Sequence, residues 1–382
     1  MPSRRVNVIS HCARSPWFEK TWNEQSLYTE YAGRLVLQSM GQDRVDEYWH
    51  LRKKACLYDV PEKPLEIRGR DAVAFLDRAF TRPVDRLRVG RGSYGLLCDK
   101  HGGLVCDGIL FRRADDCFWY VHADADVQLW LSAIATDFEV EVGDPGAWVL
   151  QVQGPASLQV LASACDSAPP GEFRYFDAFD GHMGGQPVMI SRTGWTGELG
   201  FEVYNLARDV DGPALWDHLL AAGAEFDLRA GSQVSMNLRR IEAGILNYPT
   251  DMDRRTTPYD MGLGAFVDLD SHDFIGREAL RAAPRENRFT GFKCASRQIP
   301  FGARLQAGGR EIGRVTAFEV SPYLDSGVGF ALLDSPEFLD CGDVVVTDRA
   351  GESCALELVT LPFYDAEKNI PRGLPSAHGF AD

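Results

Sequence analysis

Residues 93–124, SYGLLCDKHGGLVCDGILFRRADDCFWYVHAD, decide the fold. They hold three short apolar runs, 94–98, 104–111 and 118–122, separated by the clusters Asp-Lys-His-Gly-Gly and Arg-Ala-Asp-Asp. Short β-prone runs punctuated by such turn residues form an antiparallel meander, not a doubly wound parallel sheet.

Upstream, residues 6–51 are aromatic and charged, and DRVDEYWHLRKK (43–54) reads as an amphipathic helix leading into ACLYDV (55–60). A strand at 65–67 and an apolar helix over 72–80 follow, so strand and helix periods alternate. Downstream, 148–153, 188–192 and 200–204 read as strands, whereas 156–164, 214–224 and 232–243 carry helical spacing. Single helices among short strands predict α+β units with helices on one face of antiparallel sheets. After the Pro-Arg-Glu-Asn break at 284–287 the chain turns to strands and turns, including 313–317 and 354–359. The expected organisation is therefore an α+β region over 1–285 and a small β-barrel over 286–382.

The remaining composition sets limits. At 382 residues and 45% hydrophobic, the chain has length for two or three domains with sizeable cores. Forty Lys and Arg against fifty-five Asp and Glu give a net charge of −15 and a pI near 5.0. That field repels nucleic acid and anionic membrane, and neither is expected as a partner. Nine scattered cysteines with no CxxC pair argue against a disulfide framework and a clustered metal site. With no signal-peptide run and no apolar span of about 18 residues, a cytoplasmic location is expected.

Generic catalytic motifs fail on context. GRGSYG (90–95) matches GxGxxG, yet a strand-like run follows where a dinucleotide site needs a helix. There is no GxxxxGK[ST], HExxH or GxSxG, and the eight histidines are spread singly.

Asp107 stands out as an acid inside the apolar run LVCDGIL (104–110). Local pattern alone favours strand alternation with Asp107 pointing outward; the functional reading is a carboxylate that grips an amine-bearing ligand, with Gly108 permitting close approach. Glu202, in TGWTGELGFEVY (193–204), reads locally as an exposed acid on a hairpin. RRIEAG (239–244) reads as a helix stopping at glycine before a polar turn.

Taken in order, these segments resemble the aminomethyltransferase family, the glycine-cleavage T-proteins and their folate-dependent demethylase relatives. GGLVCDGIL, LQVQGP (150–155), GWTGELGFEVY, RRIEAG, TTPYDMGLG (256–264), DFIGREAL (273–280), GRVT (313–316) and LPF (361–363) carry the resemblance. It implies a three-domain cloverleaf, two ferredoxin-like α+β units and a C-terminal β-barrel around a central channel for tetrahydrofolate. By the same resemblance Asp107 and Glu202 grip the pterin, and Asp107 lies near the nitrogens that accept the carbon unit. Tyr94, Phe111 and Trp195 carry over as aromatic walls and Val121 as a backbone contact, with no metal.

The departures bear on the reaction. Where T-proteins carry an arginine six residues ahead of the glutamate of RRIEAG, this chain has Met236, and Cys106 replaces the first of two adjacent aspartates. The 17–38 segment also lacks the family's usual opening. DGI, YVHADAD (120–126) and RRIEAGILNY (239–248) look closer to the demethylase branch. The leading expectation is methyl transfer from a small S-, O- or N-methylated compound to N5 of tetrahydrofolate. The alternative is a true T-protein, which needs a lipoylated carrier protein. A non-catalytic folate-binding protein ranks last, because its cysteine-bearing motif is replaced here by HDFIGRE (272–278). Trp22, Tyr28, Tyr31, Trp195 and Tyr248 are candidate donor-cage aromatics, with packing as the plainer reading.

Overall fold

The computed structural model describes residues 12–380; the segment before residue 12, with its two early arginines, lies outside that range. The meander is present: Arg91–Cys98, Leu104–Ala114 and Cys117–His122 pair antiparallel in that order. Lys63–Arg68 and Glu141–Gly143 extend it to five strands. The turn before Leu104 needs both its glycines. Gly102 has φ +82°, and a Cβ on Gly103 would stand 2.1 Å from the carbonyl oxygen of Arg254. Asp99 closes the turn, its Oδ1 accepting from the backbone N–H groups of His101 (2.8 Å) and Gly103 (3.1 Å).

Strand alternation gives this sheet two different faces. Leu97, Cys106, Leu110, Phe118 and Tyr120 pack under the helices Ala72–Ala79 and Val127–Ile134. The opposite face carries Tyr94, Asp107, Ile109, Phe111, Trp119 and Val121, as the register Tyr94↔Ile109↔Val121 and Phe111↔Trp119 requires.

A second, six-stranded sheet runs Ala178–Met183, Gln186–Ser191, Gly200–Asn205, Val149–Gln153, Ala55–Val60, Leu228–Ala230. Its pairs are antiparallel except the last, which is parallel. Ser157–Ala164 and Gly212–Ala222 cover one face through Leu57, Val152, Phe201 and Leu215. The other face meets the first sheet, so Tyr58, Met189 and Tyr204 share a core with Phe111, Trp119 and Val121. Both sheets thus carry helices on one face, the expected α+β arrangement.

Strands between Phe289 and Val359 close into a six-stranded barrel around Phe292, Leu305, Val315 and Leu333. Two helices tie the three parts together. Arg44–Lys53 starts on Asp43, whose Oδ1 accepts from Val45 and Asp46 N–H at 2.9 Å each, and it packs on Gln233–Glu242. Between them Arg52 and Arg239, both buried, face Glu198 at 2.8 and 2.7 Å. Glu242 accepts from Tyr48, from Ser321 of the barrel and from Tyr364 beyond it.

One element departs from the sequence reading. Residues 6–51 include a hairpin, Leu27–Tyr31 with Arg34–Ser39, whose two-residue loop places Ala32 at φ +50° and Gly33 at +75°. Alanine is not a residue that signals such a turn, and the hairpin is silent in the sequence.

Candidate active site

The two inner sheet faces, the hairpin and the segment after the barrel enclose a cavity of about 960 Å³. Its size suits a cofactor and a small second substrate. Tyr94, Asp107, Val121, Trp195 and Glu202 all line it.

Asp107 corrects the local expectation of an outward acid: it is 9% exposed and faces the cavity. Tyr94 is its diagonal neighbour across the strand pair, and that spacing lets the phenol reach it. Tyr94 Oη donates to Asp107 Oδ2 at 2.7 Å, while Oδ1 is enclosed without a partner. Burial pushes the carboxyl up to about 6, against the lowering effect of the Tyr94 hydrogen bond. A buried acceptor with no donor is costly, so this oxygen stands out among the groups around the cavity.

Glu202 is likewise buried rather than exposed. Its register partners Gln151 and Ser191 share its face. Oε1 accepts from Gln151 Nε2 at 2.8 Å, and Oε2 from Thr193 and Tyr204 at 2.5 Å each. Burial raises this carboxyl, and the four surrounding side-chain donors hold it down. Four protein donors thus fix and orient this carboxylate at the cavity wall.

Trp195 is pinned by its Nε1–H donating to Leu246 O at 3.2 Å. Phe111 does not reach the cavity: it is 1% exposed and packs edge-on to Tyr204. It shares Asp107's face but sits four residues along the strand, where the sheets have already closed on each other. Of the five cage aromatics, Tyr31, Trp195 and Tyr248 line the cavity; Trp22 is 56% exposed, and Tyr28 pairs with Thr21 at 2.9 Å.

The structure adds groups that the sequence did not mark. Glu62, His122, Lys368 and Arg372 also line the cavity. Glu62 sits in a two-residue connection, Pro61-Glu62, between two strands, where an acid carries no signal. His122 was one of eight scattered histidines, and burial lowers it to about 4. Met236 is 1% exposed in the inter-sheet core with Leu51, Tyr58 and Trp119. Cys106 points to the helix-covered face, and burial drives its thiol well up.

Two sheets, a closed barrel and a central cavity lined by both apolar and acidic side chains define an α+β enzyme with a ligand chamber between its parts. Residues 7–271 match the family model described as the GCVT N-terminal domain, and residues 287–365 match the glycine cleavage T-protein C-terminal barrel domain. An aminomethyltransferase of Saccharopolyspora erythraea is 32% identical over 351 residues, 88% of this chain and 94% of the relative. One from Halalkalibacterium halodurans is 31% identical over 358 residues, 88% and 96%. The crystal structure of glycine cleavage system aminomethyltransferase T from Bartonella henselae superposes with a TM-score of 0.82 at 28% identity, covering 92% of this chain and 98% of that one. The chain belongs to the aminomethyltransferase family, and it is a one-carbon transferase that uses tetrahydrofolate.

Proposed function

We propose that this enzyme transfers a methyl group from a small S-, O- or N-methylated compound to N5 of tetrahydrofolate. Met236 carries the reading. The position where T-proteins place an active-site arginine is filled here by an apolar side chain in the inter-sheet core. Tetrahydrofolate supplies a nucleophilic nitrogen. Asp107 holds a ligand N–H through its unpaired Oδ1 and takes up the proton displaced on alkylation, a task suited to a carboxyl near 6. Glu202 fixes the pterin's other donors, Tyr94 orients Asp107, and Trp195 walls the chamber against water.

The competing reading is aminomethyl transfer from a lipoylated carrier protein with release of ammonia, and the names of the relatives favour it. The test is incubation with tetrahydrofolate and either a panel of methylated donors or an aminomethylated lipoyl carrier, with the folate product weighed by mass spectrometry. The methyl-transfer reading expects 5-methyl-tetrahydrofolate from the panel. Formation of 5,10-methylene-tetrahydrofolate from the carrier alone sinks it.

A further inference from the structure

Arg240, the second cation of RRIEAG, stands behind the cavity wall. It is 3% exposed on the helix Gln233–Glu242. Its guanidinium lies 5.3 Å from the centre of the Trp195 ring and 5.3 Å from the centre of the Phe330 ring. Trp195 belongs to the connection between Gln186–Ser191 and Gly200–Asn205 of the second sheet, whereas Phe330 is on the barrel strand Ser326–Leu333. One cation thus rests against aromatic rings from two parts of the molecule.

Its hydrogen bonds reach a third part. Nη1 donates to Asp251 Oδ2 at 2.5 Å and to Ile245 O at 3.2 Å, and Nε donates to Asn237 Oδ1 at 3.0 Å. Asp251 is fully buried, and the same Oδ2 accepts from the Asn247 backbone N–H at 2.8 Å. Ile245, Leu246, Asn247 and Tyr248 form one wall of the cavity. Trp195 completes the circuit, because its Nε1–H donates to Leu246 O at 3.2 Å. Asn237 reaches the barrel a second time, its Nδ2 donating to Glu319 Oε1 at 2.9 Å. A lysine can pair with Asp251, but only a planar guanidinium does so while bonding Ile245 O and Asn237 and lying against an indole.

We propose that Arg240 is a positioning residue: it holds Trp195 and the 245–248 wall in one fixed relation to bound tetrahydrofolate, and ties that relation to the barrel through Phe330 and Glu319. The indole is held at its edge by Leu246 O and against its ring by the guanidinium, so the surface it offers the cavity is set before the ligand arrives. The inference requires only the use of tetrahydrofolate, and it stands under methyl transfer and aminomethyl transfer alike.

The experiment titrates the full chain with tetrahydrofolate, without air, in a double-mutant cycle of Arg240→Lys and Trp195→Phe. Thermal denaturation establishes that each variant is folded at the assay temperature. The Trp195 signal is the difference in fluorescence between each protein and its Trp195→Phe counterpart. Arg240→Lys is expected to weaken tetrahydrofolate binding about tenfold when Trp195 is present and less than about twofold when it is phenylalanine, since the residue acts through the indole. The Trp195 emission is expected to shift in Arg240→Lys before any folate is added. A structural role alone weakens binding equally in both backgrounds, and that result, or binding within twofold of wild type in Arg240→Lys, overturns the proposal. Phe330→Leu approaches from the barrel side and decides the matter if the lysine variant does not fold. It leaves the Asp251 pair in place, and it is expected to shift the Trp195 emission and weaken binding several-fold; unchanged emission and affinity overturn the proposal.

Discussion

Tyr94 holds one oxygen of Asp107 at 2.7 Å and leaves the other enclosed and unpaired. The carboxyl is thereby oriented from one side and keeps unused acceptor capacity on the other. Because it is buried, its proton affinity responds strongly to that single donor.

Tyr94→Phe removes a hydrogen bond that lowers the Asp107 carboxyl, so its titration moves above the present value of about 6. A rate that needs the ionised carboxylate then loses its acid limb at higher pH. Activity at pH 6 is expected to fall more than activity at pH 8. A pH–rate profile of kcat checks this, and an acid limb that does not move refutes it.

Asp107→Asn is expected to abolish turnover yet retain tetrahydrofolate, since the amide is isosteric. The stability effect has the opposite sign. Burial raises the folded-state value from 3.8 to about 6, so ionising Asp107 above that range works against the folded state. The variant gains about 2–3 kcal/mol at pH 7, and the gain fades as pH falls from 6 through 4. Urea melts of both proteins at pH 4 and pH 7 measure it; a constant difference across that window rules the argument out.

The contrast between Asp107 and Glu62 shows what the sequence could carry. The meander around Asp107 is written in period-two runs and Gly-Gly turns, which are local signals. The inward aim of Asp107 is not local, because it depends on a second sheet facing the first. Glu202 likewise reads as exposed until Gln151, Ser191 and Tyr204 are brought beside it by two strand pairings. Phe111 obeys the same parity as Asp107, so parity alone could not place it in the closed core. Glu62, Lys368 and Arg372 sit in irregular segments where neither period nor turn chemistry marks a cavity wall.

Met236→Leu conserves volume in the inter-sheet core and is expected to cost less than about 1.5 kcal/mol, with activity retained. Met236→Arg places a guanidinium among Leu51, Tyr58, Trp119 and Val121 and is expected to cost about 3–5 kcal/mol. Thermal denaturation separates the two. Equal stability, with aminomethyl transfer gained by the arginine variant, means that this wall accepts a cation, and Met236 then no longer argues for methyl transfer.

Glu242 is the acid on which the three parts of the molecule converge. It accepts from Tyr48 at 2.9 Å, from Ser321 at 2.5 Å and from Tyr364, with Arg52 at 3.6 Å and Arg239 at 4.0 Å. All of these groups are buried, so Glu242→Ala leaves two guanidinium ions to share Glu198 alone. The expected loss is about 3–5 kcal/mol. Asp217→Ala, which breaks the exposed pair with Lys20 at 2.6 Å, is expected to cost under about 1 kcal/mol. Tyr364 also leads into the segment that brings Lys368 and Arg372 to the cavity, so losing its anchor is expected to raise KM for tetrahydrofolate before kcat falls. Urea titration and steady-state kinetics on the two variants test both halves. Comparable stability losses at Glu242 and Asp217 would show that the buried cluster does not join the parts in the way its geometry implies.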